Sequence, residues 1–565
     1  MPHIQTLTFF NNQIREVHDH AFFTLELLES LDLSHNKIVS LDKNTFQRNK
    51  LIRTIDLSHN HLHSINGLFS NLKSLSEDNN IEFIENKTFI YLKKLKYLDL
   101  SNNKLVKLNN ETFYNLVSLE ELHLASNNIK ITFNQLTWDD IMHLEIPGLK
   151  SLIISNNDFS LLENKTFAQL PSLQTLTLEN SNISLLPSNV FIKNQNLLRV
   201  NLANNYLKDL HKDTFAYTTI LQELNLRSNN FSDFPHVALF NITSLEVLDL
   251  CHNQLRSVDF FKFIGLQNLR TLSLCSNRIT SLNGFNSPAL KNLLTLNLSE
   301  NLLTVLPPNF FQYSIGLKEI DLSHNNFKYI PSNGLSEAVL PGLITLNMSH
   351  NSLVELLQSY PIKQFPLLEE LVVTNTNVTI ITSKDFENFP SLKKLTLSKN
   401  SIVRLSPGAF SKLNMLTLLD LSCNRLDNIP RERLQGLYNV RSINISQNNL
   451  RELEEFAPDL RNLQKLDLSL NHITRLTKDV FHGLTTLTEL YLNGNWISVI
   501  TADAFHGLKK IAFIDLSHNY LETVQLKVFR YLETQVKSLS LNGELKYYLN
   551  ILRLTLNCHN CRDNV

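Results

Sequence analysis

Apolar side chains in this chain fall at fixed intervals. From Leu28 to Ile38 the segment LESLDLSHNKI sets Leu28, Leu31, Leu33 and Ile38 around Asn36, the pattern LxxLxLxxNxL, and that pattern returns along nearly the whole chain. With the Asn position as phase marker there are 23 units, 20 of them with Asn, running from Asn12 to Glu544, and Ser181 and Thr376 are the other substitutes. Sixteen of the 22 intervals are 24 residues, a regularity that chance does not produce. Two leucines two residues apart share one face of a short strand, and the residue between them faces away. The Asn amide offers both a donor and an acceptor, so it can satisfy backbone groups where the chain leaves the strand. Ten residues after the marker 14 of the 23 units carry Phe, among them Phe22, Phe46, Phe113, Phe215, Phe410 and Phe505. Those rings predict a second stacked apolar spine.

Such units are leucine-rich repeats. The predicted fold class is α/β, a leucine-rich repeat solenoid curved into a horseshoe, with a parallel β-sheet on the concave face and short helical or irregular convex segments. The array covers residues 1–544, and 545–565 form a degenerate C-terminal tail whose cap is absent or truncated. Strands stacked at ~4.8 Å would extend the sheet to about 110 Å. Two units are irregular. Between Asn60 and Asn79 the interval is 19 and the second strand Leu is missing, so a distorted repeat is expected there. Between Asn127 and Asn157 it is 30, with Trp138, Asp139 and Asp140 in the extra length, and a packed turn bulging away from the sheet is expected.

A long open sheet suits macromolecular contact better than small-molecule enclosure. Its outward strand position holds Asp32, Asp56, Asp99, Asp249, Asp321, Asp420, Asp467 and Asp515, with Asn201, Asn225, Asn297, Asn347 and Asn444 elsewhere and Tyr491 as its aromatic. Tight interfaces centre on buried Trp, Tyr or Arg, so this polar face points to weak, multivalent contact. His35, His59, His252, His324, His350 and His518 precede the marker. The neighbouring pairs His35/His59 and His324/His350 raise metal binding or pH sensing, but no Cys or carboxylate cluster completes a ligand set beside them, and no metal or other cofactor is expected. Cys251 and Cys275 share a phase in consecutive units, within disulfide reach, while Cys423 has no in-phase partner and Cys558 and Cys561 form a CHNC without a second ligand pair. Glycosylation sequons stand at Asn86, Asn110, Asn164, Asn182, Asn230, Asn241, Asn297, Asn347, Asn377 and Asn444. Their number is what the composition yields by chance. Their placement says more, because glycans on Asn297, Asn347 and Asn444 would obstruct the concave face over the second half.

Charge then narrows the partners. With 52 Lys and Arg against 53 Asp and Glu the net charge is -1, which excludes the basic face of a dedicated nucleic-acid binder. Enzyme motifs such as GxSxG, HExxH, a Walker loop or GxGxxG are absent, so no catalytic activity is expected. No run of 18 apolar residues encodes a membrane span. The opening MPHIQTLTFF lies inside a repeat at Ile4 without the features of a leader, and the chain is expected to be a fragment or to carry a mispredicted terminus, with any membrane association depending on an anchor outside it.

The 24-residue units, Asn ladder and Phe spine resemble the "typical" extracellular leucine-rich repeat class, as in Toll-type receptors, Slit-like proteins and neuronal adhesion molecules, over essentially all of 1–544. Within it, LTLLDLSCNRLDNIPRERLQGLYNVRSINISQNNLRELEEF (416–456) and LYLNGNWISVITADAFHGL (490–508) most resemble the chaoptin type of insect photoreceptor adhesion protein. That resemblance implies a glycosylated, lipid-anchored cell-surface array with a homophilic or heterophilic protein partner. Cell adhesion is therefore the leading expectation. A Toll-like ligand-sensing ectodomain is the alternative, and an intracellular scaffold the second alternative.

Overall fold

The computed structural model describes residues 3–42, 44–65, 74–76, 78–85, 87–90, 92–106, 108, 111–129, 146–284, 288–336, 338–357, 364–522, 526–529, 532 and 536–541. The chain divides into two compact units. Unit 1 is Met1–Arg278 with Ser287–Leu293, and unit 2 is Ile279–Asn286 with Leu294–Val565. In each, the repeats supply one three-residue strand apiece to the main parallel sheet, from Thr6–Thr8 to Thr271–Ser273 in unit 1 and from Thr295–Asn297 to Ser538–Ser540 in unit 2, and some add a second short strand outside it, such as Ser257–Asp259 in unit 1 and Arg404–Leu405 in unit 2. The strands pair in parallel and in phase: Leu31 lies beside Ile55, Leu176 beside Val200, and Leu419 beside Ile443. Strand alternation buries the middle residue and turns its two neighbours outward, as Ser30 and Asp32 flank Leu31.

A three-residue strand has no stability alone. What holds it is the core that each repeat shares with its neighbours. In the repeat around Ser181, the side chains Leu173, Leu176, Leu178, Ile183, Leu186, Phe191 and Leu197 are all essentially buried, each contributing roughly 1.5–3 kcal/mol on full burial. The Phe positions stack as expected: Phe167, Phe191 and Phe215 follow one another at 6.0 and 5.4 Å between ring centroids, and Phe481 and Phe505 lie 6.2 Å apart. Where Pro458 replaces the spine Phe, Phe456 reaches the same stack, 6.2 Å from Phe481.

The marker Asn residues form a buried ladder that ties each repeat to the one before it. Asn60 Nδ2 donates to the carbonyls of Leu57, Ser58 and, one repeat back, Leu33, while its Oδ1 accepts from the Ile38 amide. At Ser181 the shorter side chain cannot span that distance. The Ser181 backbone carbonyl takes over, accepting from the Phe159 amide, and Asn205 Oδ1 accepts from both Ser181 and Ile183. The residue just before the marker takes a left-handed conformation in repeat after repeat, with φ of 54° at His35, 54° at Asn204, 55° at His252 and 55° at His518. Asn and His tolerate that region better than most side chains, which accounts for the recurrent His without any ligand. In unit 2 Gly494 occupies the position because its φ is +66° and a Cβ there would lie 2.6 Å from Leu470 Cδ2.

Both irregular intervals leave the sheet intact. The repeat expected to be distorted keeps its strand, Ser74–Ser76, paired in phase with Thr54–Asp56 and Tyr97–Asp99, and Asn79 stays in the ladder through Leu62 and Leu57. Across the 30-residue interval, Glu121–His123 pairs with Ser151–Ile153 and Asn157 bonds Leu124 and Ile129; Trp138, Asp139 and Asp140 lie outside the described residues. Each unit is thus a leucine-rich repeat solenoid with a parallel sheet on one face. Turns and short helices line the other, such as His236–Leu239 and Phe260–Phe263 in unit 1 and Ser332–Leu335 and Arg431–Arg433 in unit 2. Among the described residues no helix is long and apolar enough to cross a membrane.

Candidate recognition surface

The sheet face carries two outward columns, one on each side of the buried strand Leu. The second holds the eight Asp residues named above, and the structure gives them a structural task. Each accepts a hydrogen bond from the backbone amide two residues on: Asp32 from Ser34, Asp56 from Ser58, Asp99 from Ser101, Asp249 from Cys251, Asp321 from Ser323, Asp420 from Ser422, Asp467 from Ser469 and Asp515 from Ser517. Asn201, Asn225, Asn297, Asn347 and Asn444 make the same bond with their Oδ1. The recurrent acid or amide therefore caps the turn out of the strand. One carboxylate oxygen is committed to the turn, so the charge stays on the face while only the second oxygen is left for a partner.

The first outward column, two residues earlier, was not legible as a binding position when only the residue between two leucines was considered. It brings Tyr97 onto the face of unit 1. The Tyr97 hydroxyl donates to Asp99 Oδ2 at 3.0 Å and lies 3.4 Å from His123 Nδ1, and the Tyr97 and His123 rings meet edge to face at 5.0 Å. His123 Nδ1 is 3.6 Å from Asp99 Oδ2. Burial, then the Asp99 charge, pushes the Tyr97 hydroxyl well above its ordinary pKa. Burial works to raise Asp99 too, but hydrogen bonds from His123, Ser101 and Tyr97 outweigh it and hold the carboxyl below the usual value. The result is a half-buried aromatic and ionisable group fixed in one geometry, beside the outward Ile153.

Unit 2 has its own aromatic group. Tyr491 packs 5.1 Å from Phe513, with Lys465 Nζ 4.8 Å over its ring and its hydroxyl donating to Glu489 at 3.1 Å. Beside the sheet, ion pairs link successive repeats: Glu120 lies 2.7 Å from both Lys96 and Lys150, and Lys393 2.7 Å from Glu369. The two lysines, Lys150 first, lower Glu120 to about 2.

Three of the sequon residues, Asn297, Asn347 and Asn444, project from the sheet face of unit 2. Their Oδ1 atoms cap turns, while Nδ2, the atom a glycan uses, is not needed for that bond. Among the described residues no outward strand residue of unit 1 is a sequon Asn. Asn164, Asn182, Asn241 and Asn377 are exposed and Asn230 half-buried away from the strands, whereas Asn86 and Asn110 lie outside the described residues, as do Cys558 and Cys561. Cys251 and Cys275 are joined by a disulfide with Cα atoms 4.5 Å apart, and Cys423 is a free thiol donating to Gln447 Oε1. His35 stacks on His59 at 4.0 Å and His324 on His350 at 3.8 Å; face-to-face rings at the left-handed turn position converge on no common point. Burial, then the His324 charge, lowers His350, which favours a neutral ring.

The comparisons with known proteins agree with this geometry. A 70-residue stretch is 37% identical to trophoblast glycoprotein of Mus musculus, covering 12% of this chain and 16% of that protein. An 81-residue stretch is 35% identical to Toll-like receptor 10 of Bos taurus, 14% of this chain and 10% of the receptor. The matched segments thus span less than a fifth of these relatives. Among solved structures, a leucine-rich repeat protein of Leptospira interrogans superposes with a TM-score of 0.54 at 28% identity, over 74% of this chain and 95% of its own. A TLR13–ssRNA13 complex gives 0.56 at 24% identity over 94% and 84%, and the glycosylated Toll–Spatzle complex of Drosophila 0.56 at 17% over 91% and 81%; these two share the fold. The leucine-rich repeat model matches residues 2–62, 28–77, 70–129, 195–255, 243–292, 267–327, 366–426, 415–459 and 461–521, together more than half of the chain. With the Asn ladder, the Phe spine and the in-phase parallel strands in place, the chain belongs to the leucine-rich repeat family.

Proposed function

We propose that this chain is the protein-recognising array of an extracellular receptor of the Toll type, and that the sheet face of unit 1 holds its ligand. The observation that carries this reading is the Tyr97–Asp99–His123 group, an aromatic anchor with fixed polar partners on a sheet face without sequons. Anchors of this kind dominate protein interfaces. The similarity to Toll-like receptor 10 supports the receptor class. The Cys251–Cys275 disulfide suits an oxidising, extracytoplasmic compartment. Nothing in this reading requires catalysis, and the family's arrays serve as protein-interaction modules.

Chaoptin-like adhesion is the second reading, favoured by the resemblance of 416–456 and 490–508, the second of which includes Tyr491. One experiment separates the two. The chain, secreted and tetramerised, is screened against soluble extracellular proteins, and beads coated with it are watched for clumping. The receptor reading expects a soluble protein ligand whose affinity falls about 30-fold in Tyr97→Ala, with beads that stay dispersed. Beads that clump with one another would transfer the assignment to homophilic adhesion, and a ligand indifferent to Tyr97→Ala would move the site off unit 1.

A further inference from the structure

Away from the sheet face, unit 2 repeats one short sequence in consecutive units: DVFHGL at 479–484 and DAFHGL at 503–508, 24 residues apart. Because the interval between Asn471 and Asn495 is the regular one, stacking sets each residue beside its counterpart. Phe481 and Phe505 lie 6.2 Å apart with nearly parallel rings and fix the two backbones, and just beyond them the imidazoles of His482 and His506 follow at 5.6 Å. Asp479 closes the group. Its Oδ1 is 3.3 Å from His506 Nδ1, and one donor atom from each of Asp479, His482 and His506 lies within 4.8 Å of the others. Gly507, next to His506, has a φ of +96°, and a Cβ there would stand 3.3 Å from His482 Cα, so the two repeats approach closely at this point.

We infer that Asp479, His482 and His506 form a binding site for a divalent transition metal, zinc being the probe of choice, that clips two consecutive repeats together on the side away from the sheet. Two imidazoles and a carboxylate are the donor set of open zinc sites, with Zn–N and Zn–O bonds of about 2.0–2.2 Å. Around a tetrahedral ion, bonds of that length separate ligand atoms by roughly 3.3–3.5 Å, which Asp479 and His506 already match. His482 is exposed, so its ring is free to turn inward by the remaining distance, and water completes the coordination. At the stacked pair His35/His59 the Asp78 Oδ2 lies 3.2 Å from His59 Nδ1, but among the described residues only Asp479, His482 and His506 bring a donor atom each within 4.8 Å of one another. Lys478 Nζ, 3.8 Å from Asp479 Oδ2, is the cation that competes for the carboxylate, and its side chain is well exposed and displaceable.

The test is titration of the metal-free full chain with zinc by calorimetry at pH 7.5, on the parent chain and on His482→Ala, His506→Ala and the double variant His35→Ala/His59→Ala. The circular dichroism of each variant establishes that it is folded. The expected result is one zinc per chain, affinity at least 10-fold weaker in His482→Ala and in His506→Ala, and no change in His35→Ala/His59→Ala. Zinc should also raise the thermal midpoint of the parent chain and leave that of His506→Ala unmoved. Absence of binding, or equal affinity in the parent and both single variants, would overturn the assignment.

Discussion

Unit 1 and unit 2 are built from the same repeat, with the same buried leucines, ladder and spine, yet their sheet faces differ. The face of unit 1 has no sequon Asn in either outward column, and its Tyr97 is held by Asp99 and His123, one from its own strand and one from the next. The face of unit 2 carries Asn297, Asn347 and Asn444, and its aromatic pair Tyr491 and Phe513 follows only after the last of them, with Lys465 over the Tyr491 ring. The repeat decides which residues are buried. It leaves the outward positions free, and function is written there without cost to the core. On the proposed reading a partner needing a broad protein surface would find it on unit 1, whereas glycans on unit 2 would leave access mainly at its C-terminal strands.

The sharpest separation of the units is through the core. Phe191 is fully buried between Phe167 and Phe215, and Phe191→Ala should cost about 3–5 kcal/mol. Because each repeat stabilises only its neighbours, the loss should fall on unit 1. Hydrogen exchange would then show faster opening of the strands from Thr175–Thr177 to Glu223–Asn225, with Glu489–Tyr491 protected as before. Equal acceleration in both units would mean that they unfold as one.

The next effect is on recognition. Tyr97→Ala removes a half-buried anchor and should weaken binding of a soluble ligand by about 2 kcal/mol, or 30-fold. Tyr491→Ala, measured on the same surface, should change it less than about threefold. The reverse order would place recognition on unit 2 and favour the adhesion reading.

Much of this contrast could be read from the sequence, and the rest fails for a physical reason. Leu31, Asn36 and Phe410 were legible because a repeat records what each unit does for its own core. The outward Asp residues looked like free acids because the bond that engages them goes to a backbone amide two residues on, which residue type does not reveal. His35 and its counterparts raise metal binding in the sequence, which lacks a ligand set to complete it, and the left-handed φ at that turn gives a conformational reason for their recurrence. Tyr97 with His123, and Asp479 with His506, are contacts between repeats. They emerge only when the columns are aligned in register, although the duplicated D-x-F-H-G-L was itself a visible signal.

A smaller effect tests the electrostatics of the unit 1 group. Asn serves as the turn cap at Asn201 and Asn225, so Asp99→Asn should keep the Ser101 bond and lose the charge facing His123 together with the Oδ2 acceptor of the Tyr97 hydroxyl. Asp99 is depressed in the folded state. Its contribution is therefore complete above the unfolded carboxyl value near 3.8 and disappears as pH falls through the lower folded value. Denaturation midpoints at pH 7 should favour the parent chain by about 1 kcal/mol, with the gap closing below pH 3.8. A gap that persisted in acid would show that the substitution disturbs packing instead of charge.

The smallest expected change bears most directly on the difference between the two faces. Ser299→Ala, Ser349→Ala and Ser446→Ala together abolish the three sequons while keeping Asn297, Asn347 and Asn444 in place as turn caps. Ser299 and Ser446 also donate their hydroxyls to the capping Asn at 2.7 Å, so a slight loss of stability accompanies the change. If unit 2 is shielded by sugar, the triple variant made in secreting cells should lose three glycans by mass and gain affinity for a ligand that touches the face of unit 2 by about threefold, roughly 0.6 kcal/mol. A ligand confined to unit 1 should not notice. An unchanged mass would show that the three Asn were never modified, and the two faces would then differ only in their aromatic groups, making Tyr97 against Tyr491 the whole of the distinction.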